Sequence, residues 1–88
     1  MEREFIEKKS LLNLFFDEID LFNEKACTLI KAGEIEKAIE IYIKKIDYIR
    51  HAYEFNVIPI KIAGQMTDDT RRLIKILSCE EGYNETNK

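Results

Sequence analysis

The side chains with the potential for chemistry are few and scattered. His51 is the single histidine. Asp47 precedes it by four residues, a spacing that puts both on one exposed side of a helix, where the pair reads first as a solvated ion pair. Acid–base work would need a nucleophile and a pocket beside it, and no such partner is apparent in the chain. Cys27 and Cys79, the only cysteines, stand among apolar neighbours with no CxxC spacing and no adjacent histidine. They read as free thiols buried in a reducing compartment, with one bridge between them as the alternative. A metal would want further His, Cys or carboxylate ligands at suitable spacing. Asp17, Glu18 and Asp20 are near neighbours on one predicted helix, so their carboxylates diverge into solvent. Three glycines in the whole chain leave no glycine-rich phosphate loop. The expectation is a protein that is not an enzyme, with no catalytic residues, metal or cofactor.

Arg71, Arg72 and Lys75, with Lys61 before them, form a small basic cluster of the kind a DNA-reading helix carries. The formal net charge of −3 and a pI near 5.2 weigh against a nucleic-acid binder, whose footprint is basic. The charge is uneven: −4 over residues 2–40, +3 over 41–79 and −2 from residue 80 onward. That pattern suits neighbouring helices that complement one another. A small DNA-binding regulator acting through helix 68–79 is therefore the alternative reading and not the first.

These residues must be positioned by helices. From Glu34 to Phe55, residues Ile35, Ala38, Ile39, Tyr42, Ile46, Ile49 and Tyr53 recur at helical spacing. Ile41, Tyr48 and Ala52 fall to one side of that face and Ile43 to the other, an arc wide enough for two partners. A first helix is predicted from Glu2 or Ser10 to Lys31, with a long face of Phe5, Leu12, Phe15, Phe16, Ile19, Phe22, Ala26, Leu29 and Ile30. Leu14 and Leu21, one heptad apart, lie on its polar side. Gly33 closes that helix and makes the first two antiparallel neighbours. Asn56 and Pro59 signal a stop; a short helical turn after Pro59, a break near Gly64 to Thr67 and a third helix from Asp68 to about Cys79 are predicted. Gly82 ends it, and residues 83–88 read as a disordered polar tail. The fold class is all-α: a small bundle of three main helices over residues 1–82, with a short fourth after Pro59.

Ala26, Leu29, Gly33, Ala38 and Tyr42, in the run ending AGEIEKAIEIY, resemble the turn of a tetratricopeptide-type helical hairpin, although no second copy of the repeat is present. The continuation KKIDYIRHAYEF resembles the second helix of MIT domains, three-helix modules that bind short helical peptide motifs. The resemblance covers residues 23–55 and implies a peptide-binding groove.

An 88-residue chain has a modest core, and it carries fourteen isoleucines. Three helices do not readily bury Leu14, Leu21, Ile41, Ile43, Tyr48, Phe55 and Ile58 together with the principal faces. All of these but Ile58 are the candidate protein-binding residues, with Tyr48 the natural anchor. The competing expectation is that residues 56–66 fold back over the second helix and absorb Ile41, Tyr48 and Ala52. The partner is expected to be another protein or a second copy, with nucleic acid disfavoured and no membrane involved. Met1 to Lys9 alternates charges unlike a signal peptide, so a cytoplasmic protein is expected. The Ile, Lys, Glu and Asn bias suggests a bacterial or phage origin, where small helical proteins often act as inhibitors, immunity factors or adaptors.

Overall fold

A computed structural model describes the backbone of residues 2–86 and the side chains of residues 10–79. It contains three helices: α1 (Glu2–Lys31), α2 (Ile35–Glu54) and α3 (Ile60–Thr86). The all-α expectation is met. α1 packs on α2 and α2 on α3, but α1 and α3 do not come together. The radius of gyration is 15.8 Å, against about 12 Å for a compact domain of this length. The molecule is an open layer with α2 in the middle, 62 Å long, 23 Å wide and 13 Å thick.

Both helix ends that shape this layer use the same device. Gly33 takes φ +80°. Its N–H donates to the Ile30 carbonyl at 3.0 Å, and the Glu34 N–H donates to the Leu29 carbonyl at 2.9 Å. This is the Schellman closure that only a left-handed residue permits without strain. Asn56 repeats it at φ 62°. There the Asn56 N–H reaches the Tyr53 carbonyl at 3.0 Å and the Val57 N–H the Ala52 carbonyl at 2.8 Å. Asparagine tolerates this region better than other side chains. The Pro59 carbonyl then accepts from the Ala63 N–H at 3.0 Å, starting α3.

α3 corrects the sequence reading in two places. No break occurs between Gly64 and Thr67, and no fourth helix forms; a single helix runs from Ile60 through Gly64. Ala63 and Met66 pack beside Ile58 on the core, and that tertiary contact outweighs the modest helix cost of one glycine. Gly82 does not end the helix either, since the backbone stays helical to Thr86. Residues 87–88 of the expected tail lie outside the described residues.

The core is in two parts along α2. One gathers Phe15, Ile19, Ile49, Ala52, Ile58 and Ala63. The other gathers Ala26, Ala38, Tyr42 and Leu77, with Leu29, Ile30, Ile35 and Ile39 against it. The second is the meeting of α1 and α2 beside the Gly33 turn that the sequence pattern anticipates. Phe22 departs from that pattern and turns to Tyr48 instead.

The two internal glycines should respond oppositely to alanine. A Cβ on Gly64 meets nothing within 4 Å, so Gly64→Ala should stabilise by about 1 kcal/mol through helix propensity. Gly33→Ala should destabilise by about 1 kcal/mol because of its positive φ. Urea unfolding of both variants checks this, and a loss of stability in Gly64→Ala would contradict a continuous α3.

Candidate protein-binding face

Lys45 sits on the core side of α2 between the two apolar clusters and is only 7 % exposed. Its Nζ donates to Asn23 Oδ1 of α1 at 2.9 Å and stands 5.7 Å from the Tyr42 ring centroid. Burial pushes its pKa down, opposed by the Asp69 carboxylate of α3. Lys45 is thus hydrogen-bonded to α1 and feels the charge of Asp69 on α3. The neighbouring Thr70 is fully buried, and its hydroxyl is satisfied by donating to the Met66 carbonyl at 2.8 Å.

Asn23 and Asp69 mark the flanks of α1 and α3 that face across α2. Two turns before and after Asn23, at heptad spacing, lie Phe16 and Ile30; two turns before and after Asp69 lie Ile62 and Ile76. Leu73 is one turn beyond Asp69 on the same flank. Phe16 is 43 % exposed, Ile62 and Leu73 each 41 %, and Ile76 57 %. Half-buried Leu12 and Met66 continue the surface inward. Because the α1 and α3 backbones stand more than 8 Å apart among the described residues, these side chains border a shallow apolar trough, with Lys45 and Asn23 at its centre.

The six side chains singled out from sequence do not form one face. Tyr48 is half-buried, stacked on Phe15 with centroids 5.7 Å apart and planes at 8°, and 5.7 Å from Phe22. It is taken up by α1 as part of the fold rather than offered as an anchor. Ile41 is half-buried against the second cluster and shares an open groove with Leu21, Glu24, Lys25, Thr28 and Leu29. Leu14 and Leu21 are exposed on that side of α1, while Ile43 and Phe55 are exposed elsewhere. The segment after α2 does fold back, covering Ala52 with Val57 and Ile58, but Tyr48 and Ile41 are covered from α1.

The trough residues escaped the sequence reading for a physical reason. Phe16 falls within the broad apolar arc of α1 and reads as core there. Ile62, Asp69 and Ile76 fall on one line only if the helix passes through Gly64.

Other expectations are corrected. Cys27 and Cys79 are free and exposed, neither bridged nor buried; both fall outside the buried stripes of their helices. Asp47 does not pair with His51. It takes Arg50 at 3.2 Å, while His51 Nδ1 and Arg50 Nε each lie 3.8 Å from Glu54 Oε1. Lys61, Arg71, Arg72 and Lys75 are all exposed on α3. Asp68 and Asp69 interrupt the cluster, and Arg72 lies 3.9 Å from Asp69. Among the described residues no helix is long and apolar enough to cross a membrane, and no group of three or more His, Cys, Asp or Glu is placed to hold a metal ion. Neither a protein-family model, a curated protein nor a solved structure matches the chain.

The buried ammonium gives a pH signature. A lysine whose folded pKa is lowered binds its proton more readily in the unfolded chain. Stability therefore rises as pH climbs from the lowered value towards the ordinary lysine value. Tyr42 and Tyr48, both raised chiefly by burial, act in the opposite direction above the ordinary tyrosine value. Unfolding free energy measured from neutral pH to about pH 10, below the range where the tyrosines dominate, should show the alkaline gain in wild type and lose it in Lys45→Met.

Proposed function

We propose that this protein is a small, non-enzymatic protein-binding module that docks an apolar surface in the trough between α1 and α3. One observation carries the reading: among the described residues the backbones of the two outer helices stand more than 8 Å apart, leaving Phe16, Ile62, Leu73 and Ile76 exposed along their facing flanks. Exposed apolar side chains gathered along one groove mark interaction surfaces more often than isolated ones do. An amphipathic helix is the natural occupant of such a groove. The resemblance of residues 23–55 to tetratricopeptide and MIT hairpins, whose relatives bind peptides, supports the same class. An adaptor, inhibitor or immunity-type role in a bacterial or phage cytoplasm fits this mode of action. The Leu14–Leu21–Ile41 side of α1 is a second, narrower apolar surface.

The DNA-binding alternative is disfavoured by the carboxylates interleaved in the basic cluster. Capture experiments with immobilised protein separate the two. Proteins retained by wild type should be lost on Phe16→Glu/Leu73→Glu, with affinity reduced at least about tenfold, or ~1.4 kcal/mol. They should stay bound to Arg71→Ala/Arg72→Ala. A salt-sensitive DNA shift abolished by the arginine pair, with no protein lost on the trough variant, would overturn this reading.

A further inference from the structure

We draw no further inference here: the strongest candidate, the groove between α2 and α3 beside Tyr53 and Ile60, is lined by Asp47 and Asp68 as well as by Arg50 and Arg71, so charge selects no occupant for it and nothing in the structure shows what covers it.

Discussion

The architecture turns on the burial of one ammonium group. Taking Lys45 out of water is costly, and the fold tolerates it because α1 supplies Asn23 as acceptor and α3 supplies the Asp69 carboxylate nearby. Apolar contacts alone leave a helix pair free to slide by a turn, since one leucine or isoleucine serves nearly as well as the next. A buried polar group has one satisfactory partner and so fixes register. Here it fixes α1 against α2 through Asn23, and it lies between two apolar clusters, one at each end of the shared layer.

That division explains why the layer stays open. The central residues of α2 facing the trough are small or polar, with Ala38, Lys45 and Ala52 all buried. α1 is held on one side by the Phe15–Tyr48–Phe22 stack. α3 is held on the other through Ala63, Thr70 and Leu77. The side chains left uncovered by this geometry, Phe16, Ile62, Leu73 and Ile76, are those that a docked partner would cover.

Much of the fold is legible in the sequence because helical periodicity reports burial directly. The faces of α1 and α2, the Gly33 turn and the meeting of Ala26 with Ala38 and Tyr42 all follow from it. α3 was less legible because Gly64 carries a local propensity against helix, whereas the packing of Ala63 and Met66 that overrides it is a tertiary fact. Lys45 was invisible for a related reason: a lysine on the edge of an apolar arc reads as a snorkelling surface residue. The composition holds more apolar side chains than three helices cover, but which of them stay exposed depends on where α3 lies. Tyr48 is absorbed and Phe16 is not, a distinction that no spacing within α1 or α2 encodes.

The most direct test of the arrangement uses the two exposed thiols, Cys27 on α1 and Cys79 on α3. Both thiols are spin-labelled in one chain, which is diluted with unlabelled protein, and the intramolecular Cys27–Cys79 distance is measured in wild type and in Lys45→Met. If the buried ammonium fixes the register of α1 on α2 through Asn23, wild type should give one narrow distance and the variant a broader or shifted distribution. An equally narrow and unshifted distance in Lys45→Met would contradict that role.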